Sequence, residues 1–251
     1  MNNLRFRRLE TIASAASKLL YEAQTIVAQQ PALALPVARL RGRGVPFGSS
    51  TEIVIEGFPR SANSFAVAAF ARAQGRKPNI AHHVHAPAQV IAAARAAVPA
   101  IVLIRNPEDA VLEYVIKKPA ITIGQALRGY ARFYQPLLRY RSGFVVGVFD
   151  EVTKDFGSII RRVNERFGTA FREFEHTEEN ARATLDEIDG YWRGILGPGE
   201  HLEIIVGRPS SERDQMKERL RGAYADERLA RARLRADALY RRIAALARSA
   251  A

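Results

Sequence analysis

The chain has no cysteine, which excludes disulfides, thiol nucleophiles and thiolate metal sites. It has no long apolar run either. Stretches such as 91–94 and 98–104 fall far short of the roughly 20 residues that a membrane-spanning helix needs. Arg5, Arg7 and Arg8 lie near the start without a continuous apolar stretch or small-residue cleavage site, which argues against a secretory signal and leaves a cytoplasmic location as the expectation. A Walker A pattern (Gly-x-x-x-x-Gly-Lys-Ser/Thr) is missing, and with it the usual ATPase signature. Zinc-ligand spacing, RNP-like aromatics and internal repeats are also absent. A dedicated nucleic-acid reader is therefore not expected, despite a net charge of +12.

What is present is enough chain for a proper core: 251 residues with the apolar and charged fractions of an ordinary globular protein. The positive charge sits on the flanks. Residues 1–50 carry seven Lys/Arg against two acids, and residues 211–251 carry eleven against six. Those flanks suit an anionic membrane or polyanion surface, although solvated helix faces account for them equally well. Homo-oligomerisation is left open.

Leu9, Ile12, Ala16, Leu19, Leu20, Ala23, Ile26 and Val27 recur at helical spacing over 5–29, a helix expected to pack on the domain rather than lie on a membrane. Pro31 and Pro36 are expected to end it, with Arg39–Ser50 as a connector. Strand and helix patterns then alternate. Strands are expected at 51–56, 79–85, 100–104 and 144–149, and helices at 63–74, 87–97, 107–117, 124–141 and 153–167, the last capped by Thr153. Beyond these, 175–190 reads as an acidic helix, 192–203 as an irregular acceptor-side loop, and 211–221 and 226–248 as helices. The alternation predicts a three-layer α/β/α fold on a central parallel sheet. The expected units are an N-terminal amphipathic helix and linker over 1–45, an α/β domain over 46–225 and a basic C-terminal helix over 226–251.

Three segments place polar residues at the carboxyl ends of strands, where sites gather in such folds. Glu56-Gly57-Phe58-Pro59-Arg60-Ser61-Ala62-Asn63-Ser64-Phe65 is a strand end, a basic turn and a helix start, the build of a phosphate or sulfate cradle. His83-Val84-His85-Ala86-Pro87 and Arg105-Asn106-Pro107-Glu108-Asp109 are the others. Plainer readings exist for each. Ser61, Asn63 and Ser64 would serve as ordinary helix caps, and Asp109 would suit the positive end of a helix. In an extended segment His83 and His85 share one side, but no carboxylate stands at metal-ligand spacing, so no metal is expected.

Together the segments resemble the bacterial-type sulfotransferases that use 3′-phosphoadenosine 5′-phosphosulfate (PAPS). That family's first loop reads Pro-Lys/Arg-Ser-Gly-Thr-Thr-Trp/Leu, matched by Pro59 through Phe65. Its Lys-Thr-His-x-Pro is matched with His85 in the histidine's place. Its Arg-Asn-Pro-x-Asp is matched from Arg105, with Tyr114 in register. Phe149-Asp150-Glu151-Val152 and Arg208-Pro209-Ser210-Ser211-Glu212-Arg213 with Lys217 resemble later segments. The resemblance implies a P-loop-NTPase-like sulfotransferase fold over about 51–222. It implies a 5′-phosphosulfate cradle from Arg60, Ser61, Ala62, Asn63 and Ser64, and adenine stacking on Phe65. It further implies 3′-phosphate contacts from Arg105 and Arg213, His85 as catalytic base beside Arg60, and adenosine 3′,5′-bisphosphate as product.

Two readings from other classes stay open: a P-loop-like kinase, and a non-catalytic phosphoanion-binding module at a membrane or polyanion surface. Three departures carry expectations of their own. Arg60 and Ala62 replace the loop's lysine and glycine. Glu113 stands where the family has serine, and a carboxylate there is expected to repel a 3′-phosphate unless the local register differs or an arginine intervenes.

Overall fold

The computed structural model describes residues 16–42, 44–197 and 211–248. Expectations for 5–15, 198–203 and 208–210 fall outside them. The sheet consists of β1 (Ile53–Gly57), β2 (Ile80–His82), β3 (Ala100–Ile104) and β4 (Val145–Val148). All pairs are parallel, in the order β2-β1-β3-β4, with Ile55 opposite both His82 and Ile101. Because β1 and β3 are buried on both faces, β3 and the Ile53–Ile55 part of β1 read as continuous apolar runs, and alternate residues feed two cores. Ile53, Ile55, Ile101 and Leu103 pack against α3 (Asn63–Gln74) and α8 (Phe156–Phe167). Val54, Val102 and Ile104 pack with α4 (Pro87–Arg95), α5 (Pro107–Lys117) and α6 (Ile123–Tyr134). This is the three-layer α/β/α arrangement expected. The chain leaves β1 toward β2 and then crosses back to β3, so the topological switch point lies at β1.

Several elements match the sequence closely. α3 ends on Gly75 in the left-handed conformation (φ 62°). α5 starts with Pro107 at its first turn, capped by the Asn106 side chain accepting from Asp109 N–H.

Others differ for identifiable reasons. α1 spans 16–27, and Pro31 does not close it into a connector but begins a new helix, α2 (Pro31–Arg41), because proline is favoured at the first helical position. The expected strand 79–85 shrinks to Ile80–His82, since His83 and His85 both take positive φ. The 124–141 helix stops at Tyr134 and continues as a 3₁₀ segment, Pro136–Gly143. Proline removes the N–H that would extend the α-helix. Asp155, not Thr153, caps α8, and Thr153 lies inside a separate short helix α7 (Phe149–Lys154), its hydroxyl donating to the Phe149 carbonyl. α9 (Glu178–Leu196) runs through Trp192, so the expected irregular loop does not begin there. α10 (Ser211–Tyr224) and α11 (Ala230–Ala245) follow, and α11 buries Ala236, Leu239 and Ile243. Among the described residues no helix is long and apolar enough to cross a membrane.

Candidate anion-binding and acceptor site

At the carboxyl end of β1 the chain turns sharply. Arg60 (φ 72°) and Ala62 (φ 67°) both occupy the left-handed region, and Ala62 is the N-cap of α3. That conformation accounts for a glycine preference at position 62. None of the expected side-chain caps acts as one: α3 has no side-chain cap bond. Ser61 is fully buried, its hydroxyl 3.5 Å from the Tyr134 hydroxyl. The Asn63 amide donates to the Phe58 carbonyl (3.1 Å), closing the turn from inside. Ser64 Oγ lies 3.1 Å from His83 Nε2. Phe65 packs edge-on against Phe174 and beside His176. The start of α3 is thus left to its backbone, with cations around it.

Those cations converge on Glu113 of α5. Its carboxylate accepts from Arg60 Nη2 (3.2 Å) and from Arg213 on α10, and Lys217 Nζ lies 3.6 Å away. Of the two arrangements the sequence left open, arginines intervene. Burial alone would raise the Glu113 carboxyl, but the Arg213 bond and the charges of Arg213, Arg60 and Arg105 hold it below its ordinary value. Arg60 is pushed down to about 10 by burial and by the Arg213 charge, partly offset by Glu113. Arg105, at the end of β3, donates to the Arg60 carbonyl (3.4 Å) and lies over the Phe149 ring at 4.1 Å. Its Nε is buried without a hydrogen-bond partner among the described residues. A buried arginine donor left unpaired costs free energy unless a ligand atom accepts from it. That donor, the uncapped helix start and the surrounding cations fit a phosphorylated ligand.

The histidine loop lies across Gly57. His85 Nδ1 is 3.0 Å from the Gly57 carbonyl, which can only accept, so the ring proton sits on Nδ1 and Nε2 is left as acceptor. Burial lowers His85 to about 4, with the Lys117 and His82 charges adding to the effect. The loop's left-handed turns (His83 φ 59°, His85 φ 53°) are held by Glu56, the penultimate residue of β1. Glu56 Oε2 accepts from Val84 N–H (3.0 Å), His85 N–H (3.1 Å) and Gln89 Nε2 (2.9 Å). Fully buried among neutral donors, Glu56 is raised to about 7 by desolvation. His85 is neutral at that pH, so its 3.5 Å approach to Glu56 is not an ion pair. Among the described residues no group of three His, Asp or Glu is placed to hold a metal.

Sequence reasoning missed Glu56, Lys117 and Tyr134. Lys117 ends α5, one turn beyond Glu113, and i,i+4 spacing was its available signal. Its ammonium, pushed down to about 8 by burial and by the charges of Arg60, Lys118 and Arg213, interacts electrostatically with both Arg60 and His85. Tyr134 donates to the Leu103 carbonyl (2.7 Å) and accepts from Phe58 N–H (3.2 Å), bracing the loop against β3. Nothing local in the sequence announces that role.

Fold and site together define an α/β protein with an uncapped, cation-ringed helix start at its topological switch point and a histidine loop beside it. No protein-family model and no curated protein matches the chain. Among solved structures the chain is similar to mouse sulfotransferase SULT7A1 complexed with PAP. The two share 12% identity at a TM-score of 0.42, over 75% of this chain and 88% of that one.

Proposed function

We propose that the protein is a sulfotransferase that takes its sulfonate from PAPS and passes it to an acceptor hydroxyl. The observation that carries this reading is one juxtaposition. An uncapped helix start, a buried unpaired Arg105 donor and the Arg60–Arg213–Lys117 cations meet a histidine whose Nε2 is free to accept a proton. Backbone N–H groups at the start of α3 and Arg60 would hold the 5′-phosphosulfate, and Arg105 with Arg213 the 3′-phosphate. The acceptor oxygen attacks sulfur in line while the bond from sulfur to the 5′-phosphate oxygen breaks. His85 Nε2 takes the acceptor proton, and the charge growing on the leaving oxygen is met by Arg60 and Lys117.

Glu113 favours a second reading, a phosphoanion-binding module without turnover, because it already engages Arg60 and Arg213. A P-loop-like kinase has less support, since the Walker lysine is missing. Calorimetric titration with adenosine 3′,5′-bisphosphate against AMP, alongside radiolabelled sulfonate transfer, separates the three. Preference for the bisphosphate together with transfer that His85→Ala abolishes supports the first reading, and binding without transfer supports the second. No preference over AMP sinks the first reading and leaves the second, and Mg²⁺-dependent ATP turnover points to the kinase.

A further inference from the structure

α2 buries Ala34, Leu35 and Ala38 and turns Ala32, Leu33, Pro36, Val37 and Leu40 outward. Those outward positions form one helical stripe that is wholly apolar, with Leu33 55% and Leu40 88% exposed. A large apolar side chain that is almost fully exposed at the end of such a stripe is what a missing partner leaves behind.

Charge identifies the partner. From residue 23 to residue 51 the chain has no Asp or Glu, yet it carries Arg39, which donates to the Phe47 carbonyl, and Arg41 at the end of the stripe. Arg39 and Arg41 occupy the last turn, and α2 has no acid in its first. A second copy seated parallel on this face would bring arginine against arginine, and seated antiparallel it would offer those arginines an acid-free first turn, so neither supplies a countercharge. A negatively charged bilayer instead accepts both features: apolar side chains enter the headgroup boundary while the arginines meet anionic lipids.

We propose that α2 docks the protein on the surface of an anionic lipid bilayer, through Leu33, Val37 and Leu40 with Arg41 at the rim. This inference is independent of the proposed chemistry, because it rests on a helix that contributes no residue to the site. It does place the lipid near that site. Three residues after α2, Gly44 packs against the His82 carbonyl, and Val45 bridges to His82 through bonds of 2.8 and 2.9 Å. The histidine loop would then open close to the membrane surface.

Co-sedimentation of the full chain with vesicles tests the docking. One vesicle set is phosphatidylcholine alone, the other phosphatidylcholine with a quarter phosphatidylserine. Binding is expected to the second and not the first, and to fall as salt is raised. The combined variant Leu33→Asn, Val37→Asn, Leu40→Asn should lose binding at least about tenfold, and Arg41→Gln about fivefold, as for one basic residue near an anionic surface. Leu40→Glu, at a position too exposed to disturb folding, should also lose most of the binding. Circular dichroism would confirm that each variant is folded. The proposal is overturned by no binding to anionic vesicles, by equal binding to both vesicle sets, or by binding that these substitutions leave unchanged. It is equally overturned if light scattering shows a dimer that Leu40→Glu dissolves, which would make a second copy the partner.

Discussion

Glu56 and Glu113 are both buried carboxylates near the carboxyl ends of the sheet's strands, yet their neighbours divide them. Glu113 faces Arg60, Arg213 and Lys217 and is held below its ordinary value. Glu56 faces backbone N–H groups and the Gln89 amide and is raised to about 7. Neutral donors satisfy a carboxylate's lone pairs without offsetting the cost of burying its charge, whereas guanidinium groups do both. The arginine side of the site is therefore organised by charge, and the histidine side by hydrogen bonds to a group that can be neutral. Each half should respond differently to mutation, pH and ligand.

The largest effect should come from Glu113→Gln, which leaves Arg213 and Arg60 buried without their carboxylate. Breaking one partner of a buried pair costs about 3–5 kcal/mol, read as a lower urea midpoint. Adenosine 3′,5′-bisphosphate should then raise the midpoint of the variant more than that of the wild type. Equal stability of variant and wild type would break the contrast.

The pH dependence should be of opposite sign for the two groups, with the Glu56 slope nearly as large as that loss. Glu56 has a folded value near 7 against 4.5 unfolded, so the native state holds more protons between those values. Its contribution is greatest at and below pH 4.5 and is lost as pH rises to 7, a change on the order of 3 kcal/mol. Glu113, lowered, contributes above its ordinary 4.5 and loses that contribution as pH falls through its lower folded value. Glu56→Gln should remove the first slope and keep the second. A stability profile unchanged by Glu56→Gln would show that Glu56 is already ionised at pH 5.

Ligand binding should couple the halves. His85 titrates near 4 without ligand, and an anion bound at Arg60 and Arg105 favours its protonated form. Its pKa, followed by NMR, should rise by about one unit or more with adenosine 3′,5′-bisphosphate. A titration unmoved by the nucleotide would separate His85 from the anion site. The smallest change is expected from Ala62→Gly. Relieving a left-handed alanine should add up to about 1 kcal/mol of stability, measured in the same urea melts.

How much of this was legible in the sequence follows the range of the forces involved. α3, β3 and α5 were readable because their signals are local: a glycine stop, a five-residue apolar run, a proline start. The three site segments were readable as strand ends. The role of Glu56 was not, because its donors arrive 28 to 33 residues later and only the fold brings them together. The left-handed turns at His83 and His85 were missed for the same reason, since tertiary bonds rather than residue preference hold them. α2 was missed through a local ambiguity, proline being both a helix breaker and a helix starter.

β2 is the outermost strand on its side of the sheet and only three residues long. Val45 pairs with its last residue in an antiparallel bridge that occupies part of the open edge. Exposed strand edges invite pairing between molecules, so this contact also guards solubility. Gly44 makes the approach possible, because a Cβ there would stand 2.4 Å from the His82 carbonyl oxygen. A side chain at position 44 would prise the bridge away and uncover a sticky edge, so losses in activity there would come with aggregation during expression.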